Sequence, residues 1–210
     1  MVKRAQEKEL LEVRLIDFRL YALDKHKTTD DRPFGGGPGM VIKPEPIVAA
    51  AEEVLAQHPE AKIIMLSPQG KPYNQKMAVE LAAPHNEGQV NQDIILLCGR
   101  YEGFDERIFE ILKPIEISIG DYVLSGGEVP AMVLIDSIMR LLPGVLGCAE
   151  SVKEDSFSEG LLDHPHYTRP PEYRGLKVPE ILISGDHEKI REWRLKKAVE
   201  KTKKNRNDLL

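Results

Sequence analysis

The chain has 210 residues, 41% hydrophobic and 30% charged, enough for one good core or a core with a small second domain. No apolar run approaches the roughly 20 residues that span a bilayer, and the charged start Met1-Val-Lys-Arg-Ala-Gln-Glu-Lys-Glu9 leads into no apolar stretch of a secretory kind. The two cysteines, Cys98 and Cys148, lack metal-ligand spacing, which argues against a disulfide framework and for a reducing, cytoplasmic location.

A formal net charge of −5 speaks mildly against nucleic acid. The average hides nine basic residues between Lys189 and Arg206. Such a tail either holds phosphates or is a solvated helix face.

In chain order, Leu11–Asp17 alternates as a strand does. A polar loop from Asp24 to Gly39 follows. Glu45–Gln57 carries Ile47, Val48, Ala51, Val54 and Leu55 on one helical face. Ala61–Leu66 reads as a short apolar strand ending in Ser67-Pro68-Gln69-Gly70. A helix is expected over Gln75–Ala82, then a polar loop to Gln92. Asp93–Cys98 is the next strand, closed by Gly99-Arg100-Tyr101-Glu102-Gly103, with a helix starting near Asp105. A strand near Ile115–Ile119 leads to the glycine-rich stretch Ser118–Glu128, and Val129–Leu142 is helical until Pro143-Gly144. Short apolar strands alternating with helices predict an α/β domain with a largely parallel sheet. Ala149–Glu172 is polar and proline-bearing, a linker or lid. Asp186–Lys204 is a helix with Asp186 as N-cap and Ile190, Trp193, Leu195 and Val199 as apolar anchors.

Three strands thus end in glycine-bearing loops, and in open α/β sheets ligands sit beyond the carboxyl ends of strands. Glycine lets backbone approach a ligand edge, although strand-to-helix turns need glycine anyway. None of the loops matches the dinucleotide or nucleoside-triphosphate glycine patterns. Asp30-Asp31-Arg32-Pro33-Phe34-Gly35-Gly36-Gly37-Pro38-Gly39 is unsuited to regular structure. It is either a linker or a loop whose charged and aromatic flanks contact a flat ligand such as a base. Asp136 and Arg140, four apart on one helix, read by themselves as a surface pair worth about 0.3–0.5 kcal/mol. Glu154-Asp155-Ser156-Phe157 reads by itself as loop or cap. His164-Pro165-His166-Tyr167-Thr168-Arg169 offers two histidines for a metal, or an aromatic and an arginine for RNA.

Taken together, Asp30–Met40, Leu66–Gly70, Cys98–Arg107, Ser118–Glu128, Pro143–Gly147, Glu154–Phe157 and His166–Pro170 closely resemble, in order, the motifs of the bacterial tRNA (guanine-N1)-methyltransferase family, TrmD. That family belongs to the knotted SPOUT class and acts at guanine 37 beside the anticodon. The resemblance implies an α/β sheet with a deep trefoil knot in its carboxyl half, an exception to the rule against threading. It implies a knotted catalytic domain over 1–147, a linker or lid over 148–172 and a small, shortened helical tRNA-binding domain over 173–210. It also implies a homodimer with its site between subunits.

S-adenosylmethionine would be held by Leu66, Ser67, Pro68, Gln69, Gly99, Tyr101, Glu102, Ile119, Gly120, Asp121, Tyr122, Val123, Leu124, Gly126, Gly127 and Pro130, with Glu102 also offered to a magnesium ion. Asp31, Arg32, Gly35, Gly36, Gly37, Asp163 and His166 would hold the guanine and its neighbours. Guanine N1 carries a proton and is a poor nucleophile until a positioned carboxylate removes it. By motif match Asp155 is that base. Arg140 is the cation that meets the charge growing on O6. The freed nitrogen must then meet the methyl group in line at roughly 3–3.5 Å.

Family members usually begin with an apolar strand and a Leu-Phe-Pro turn ahead of the region matching Arg4; this chain starts beyond them. It also stops at Leu210 where many relatives continue, and its loop Pro84–Gln92 is longer than usual. Loss of a core strand removes buried apolar area, so the competing expectation is a relative that binds cofactor or RNA without efficient transfer.

Overall fold

The computed structural model describes residues 1–83, 92–146, 155–158 and 160–210. The expected long loop therefore lies, Gln92 aside, outside the described residues, as do Cys148 and Glu154. The chain divides into two compact units, Met1–Leu146 and Gly147–Leu210.

In the first unit, α1 (Val2–Glu7), α2 (Pro44–Gln57), α3 (Gln75–Ala82), α4 (Arg107–Leu112) and α5 (Glu128–Met139) surround strands β3 (Lys62–Pro72), β4 (Ile94–Leu97) and β5 (Ile115–Ser118). These strands form a parallel sheet in the order β4-β3-β5, as the alternating pattern predicts. Two short strands, β1 (Asp30–Asp31) and β2 (Val41–Ile42), pair antiparallel, the first inside the stretch expected to be irregular and the second just beyond it.

The sheet is covered on both faces, which is why its strands are apolar throughout rather than alternating. Ile64, Leu66 and Ile117 pack with Leu81 of α3 and with Ala131 and Leu134 of α5. Met65 and Leu97 point the other way, onto Ile47 of α2 and Ile108 of α4. The two crossovers run in opposite directions across the sheet, so right-handed connections put α3 and α4 on opposite faces.

Several expected elements are altered. Leu11–Asp17 forms no strand: it is extended but pairs with nothing among the described residues, and Leu15 is 94% exposed. Alternation sets the side-chain direction, as the bond between Arg14 Nε and Glu12 Oε1 two residues away shows (2.6 Å). A strand additionally needs a neighbour. β3 continues past Leu66 instead of ending there. Its pairing with β5 slips between Leu66 and Lys71, both of which face Ile117, so Ser67–Gly70 is an excursion within the strand. Pro68 has no N–H for the ladder. Gly70 presses so close to β5 that a Cβ there would lie 2.5 Å from the Ile117 nitrogen.

Helix α5 stops at Met139 rather than Leu142, because the chain tightens into i to i+3 bonds (Leu142 N–H to Met139 C=O, 3.1 Å). That tightening brings Leu142 and Val145 onto Ala5 of α1.

In the second unit, β6 (Glu172–Tyr173) and β7 (Leu176–Lys177) form a hairpin, and α6 spans His187–Asn205. The hairpin turn, Arg174-Gly175, has positive φ at both residues, 50° and 79°, the tight-turn geometry that matches strand twist. Asp186 caps α6 by accepting from the Lys189 N–H at 3.2 Å, as expected. Leu195, however, is 59% exposed and is no anchor. The inward row runs Ile190, Arg194, Ala198 and Thr202 at a spacing of four. Two polar members hide that row from a search for apolar residues.

Candidate functional site

The three motif loops meet at the carboxyl end of the parallel sheet. The Tyr73 N–H donates to the Ser118 C=O (2.7 Å), tying the end of β3 to β5. The Gly127 N–H donates to the Gly99 C=O (2.8 Å), Arg100 bridges to Gly126, and the Arg100 guanidinium meets Glu128 Oε1 at 2.8 Å. The loop after β4 is thereby clamped to the one after β5. Glu128 titrates below the usual carboxylate range. Its own backbone N–H contributes most to this; burial opposes it, and Arg100 adds to it. Motif matching alone assigned no role to the Arg100–Glu128 pair. Its only sequence signal was that both members sit inside matched segments.

The glycines of this clamp have a steric task. A Cβ on Gly127 would sit 2.6 Å from the Cys98 Cα, and one on Gly99 would sit 2.7 Å from the Phe104 ring. Their space is taken by the protein itself, so they allow the loops to pack on one another. What the clamped loops leave at the surface is Tyr101, Tyr122, Val123 and Leu124, with the carboxylates of Glu102 and Asp121 also exposed. Leu66 and Gly127 are buried beneath; Ser67, Gly99, Ile119, Gly120, Gly126 and Pro130 are half-buried, and Pro68 and Gln69 exposed. Gln69 Nε2 donates to Glu116 Oε2 (2.9 Å). Apolar edges, aromatic rings and backbone polar groups are what small organic ligands are bound by. The two carboxylates suit one that carries positive charge.

Cys98, below the clamp, is no nucleophile: burial foremost, with Glu128 nearby, pushes its thiol up to about 11.

The glycine loop docks beside this cradle. The Ile42 N–H donates to the Gly103 C=O (2.9 Å) and the Glu102 N–H to the Met40 C=O (3.1 Å). Gly39, with φ of 84°, lies directly against the Glu102 side chain, where any Cβ would collide. The tip is open: Gly35, Gly36 and Gly37 all have positive φ with nothing near their Cβ positions, and Asp31, Arg32 and Phe34 are exposed. The structure therefore brings Gly39 and Met40, at the base of this loop, against Glu102.

Arg140 is exposed at the end of α5, on a groove of about 420 Å³ lined by Gln75, Val129, Met132, Val133, Asp136 and Ser137. Asp155 belongs to the second unit, where its C=O accepts from the Ser158 N–H (3.2 Å). In the same unit Asp163 Oδ2 meets His166 Nε2 at 2.6 Å. Burial raises the Asp163 carboxyl, but His166 and His164 outweigh it and hold it below its ordinary value. The Leu162 N–H donates to Thr202 Oγ1 (2.9 Å) and Lys201 Nζ to the Asp163 C=O (2.9 Å), fastening this segment to α6. Tyr167 and Trp193 lie 6.4 Å apart between ring centroids. No helix among the described residues is long and apolar enough to cross a membrane.

The family model described as tRNA (Guanine-1)-methyltransferase TrmD matches residues 1–210. The tRNA (guanine-N(1)-)-methyltransferase of Geobacillus kaustophilus is 55% identical over 210 residues, covering 100% of this chain and 83% of that protein. The enzyme of the same description from Moorella thermoacetica is 54% identical over 212 residues, covering 100% and 82%. That of Bacillus subtilis is 51% identical over 211 residues, covering 100% and 84%.

Proposed function

Because the chain belongs to the tRNA (guanine-1)-methyltransferase family, we propose that it methylates N1 of guanine 37 in tRNA with S-adenosylmethionine as donor. The observation that carries this reading is the joining of the motif loops at the carboxyl end of the sheet: Gly127 to Gly99 and Arg100 to Glu128 clamp the loops after β4 and β5, and Tyr73 to Ser118 ties in the end of β3. When bound, S-adenosylmethionine supplies the methyl group as an electrophile activated by its sulfonium charge. The rim fits it: Tyr101, Tyr122, Val123 and Leu124 offer apolar and aromatic contact, and Glu102 and Asp121 complement a cation. Glu102, a lone exposed carboxylate, also suits a magnesium ion that keeps most of its waters.

The chain's own residues do the acid–base work. Asp155 accepts the proton from guanine N1. Arg140, at the mouth of an apolar groove, stabilises the charge that moves onto O6. Asp31, Arg32 and the open glycines 35–37 receive the base and its neighbours, with Asp163 and His166 on the lid. The residues from Lys189 onward track the tRNA backbone.

We also propose the trefoil knot over the three loops, a catalytic domain to residue 147, a lid over 148–172 and a small tRNA-holding domain beyond. The active form is a homodimer, which the exposed apolar face of α5 supports: Val129, Met132 and Val133 all lie open, with Val123 nearby in sequence.

The test is methyl transfer from labelled S-adenosylmethionine to a tRNA with guanine at 37, beside an adenine-37 control. Label is expected only in the guanine tRNA. Equal labelling of both sinks the assigned specificity. Cofactor binding without any labelling would favour a relative that has kept binding and lost transfer.

A further inference from the structure

The second unit holds a side-chain cluster, two of whose members are proposed above to hold the base, that has a further capacity of its own. Asp163, His164 and His166 present ligand atoms all within 4.8 Å of one another. His164 Nδ1 is 3.6 Å from Asp163 Oδ1, and His166 Nε2 is 2.6 Å from Asp163 Oδ2. The imidazole rings are 4.4 Å apart and tilted by 54°, so they flank the carboxylate without stacking flat.

One feature asks for a partner. The His164 side chain is only 12% exposed, and its Nδ1 is buried without a hydrogen bond. Buried polar atoms are nearly always satisfied, and an exception points to a bound water or ion.

We propose that Asp163, His164 and His166 form a site for a divalent transition metal of the zinc class, with water completing the coordination. The donor set is two imidazole nitrogens and one carboxylate oxygen, which zinc accepts as three protein ligands with a fourth position open. Two imidazoles select against magnesium, which demands oxygen ligands. Arms of about 2.0–2.2 Å in a tetrahedron space ligand atoms by about 3.4 Å. The His164–Asp163 separation is already close to that. His166 sits on the other carboxylate oxygen, so it has to move off Oδ2 to share an ion with His164, and at the surface it is the ring with room to do so.

The frame is firm: the Asp163 N–H donates to Ser156 Oγ (2.9 Å) and Leu162 is tied to the fully buried Thr202. Lys201, the nearby cation, has its ammonium on the Asp163 C=O, which leaves the carboxylate oxygens to the histidines.

Metal binding here does not depend on methyl transfer and is read directly. The untagged 210-residue chain, stripped with a chelator, is titrated with Co²⁺. A single equivalent should produce the visible absorption of a low-coordinate nitrogen and oxygen site. Zn²⁺ should abolish that absorption, and excess Mg²⁺ should leave it. H164A and H166A should each weaken Zn²⁺ binding by more than about tenfold, whereas H58A, outside the cluster, should not. If H164A fails to fold by circular dichroism, the surface variant H166A decides. Absence of the absorption, its survival in H166A, or a sulfur-to-cobalt charge-transfer band would overturn the proposal.

Discussion

Asp155 and Arg140 are ordinary at the scale of the single residue. One is a loop carboxylate whose backbone closes a turn with Ser158; the other is an exposed arginine at a helix end. Their assignment rests on motif match and on the chemistry of N1. Asp155→Ala is expected to lower the turnover of methyl transfer by about 10²–10⁴-fold while S-adenosylmethionine still binds, measured by single-turnover labelling and calorimetry. Loss of binding instead would make its role structural.

Gly127 is the opposite case, a residue whose role is steric. Its φ of −77° is available to any amino acid, so the cost of Gly127→Ala comes from the Cys98–Gly99 backbone, 2.6 Å away at the Cys98 Cα and 2.9 Å at the Gly99 nitrogen. Parting the two loops should destabilise the fold by about 1–3 kcal/mol and weaken cofactor binding. Urea unfolding and a binding isotherm check both; an unchanged midpoint would mean that the clamp is slack.

At the scale of elements, the contrast between α3 and the segment Leu11–Asp17 shows what local pattern can and cannot decide. Gln75–Ala82 forms the helix its sequence predicts, since a helix satisfies its own backbone and Asn74 supplies the cap by accepting from the Met77 N–H (3.0 Å). Leu11–Asp17 has the strand pattern without a strand, since its hydrogen bonds must come from elsewhere. On α6 the apolar pattern finds Ile190, Trp193 and Val199, which are half-buried, but not the polar residue at the centre of the buried face. Its most buried residue is Thr202, whose hydroxyl donates to the Ala198 C=O (2.7 Å) and accepts from Leu162. Thr202→Val keeps the shape but leaves the Leu162 N–H without its partner, at a cost of about 1–3 kcal/mol. The thermal midpoint should fall, and amide exchange at Leu162 should speed up. Unchanged exchange would show that the segment is held by other contacts.

At the scale of the whole molecule, the site is a meeting of distant segments. Residues near 40, 70, 100 and 127 converge because a parallel sheet delivers each of its loops to the same end. The outer face of α5 remains apolar and open there, with Met132 60% exposed. Met132→Glu is expected to convert the proposed dimer into a folded monomer with little methyl transfer, measured by sedimentation and labelling. A variant that stays dimeric would move the interface elsewhere.

The amino-acid sequence by itself determined the family, the α/β class, the positions of α2, α3 and α6 and the three loop motifs. These are local or ordered properties, carried by periodicity, caps and residue identity. Tertiary structure alone decided three further things. The clamp glycines face protein backbone and the Phe104 ring. Arg100 finds Glu128 across 28 positions. The histidine pair that spacing left ambiguous closes around Asp163, with one nitrogen buried and unsatisfied. Each of these depends on a neighbour far along the chain, or on a ring's burial and direction, and residue order encodes neither until the chain has packed.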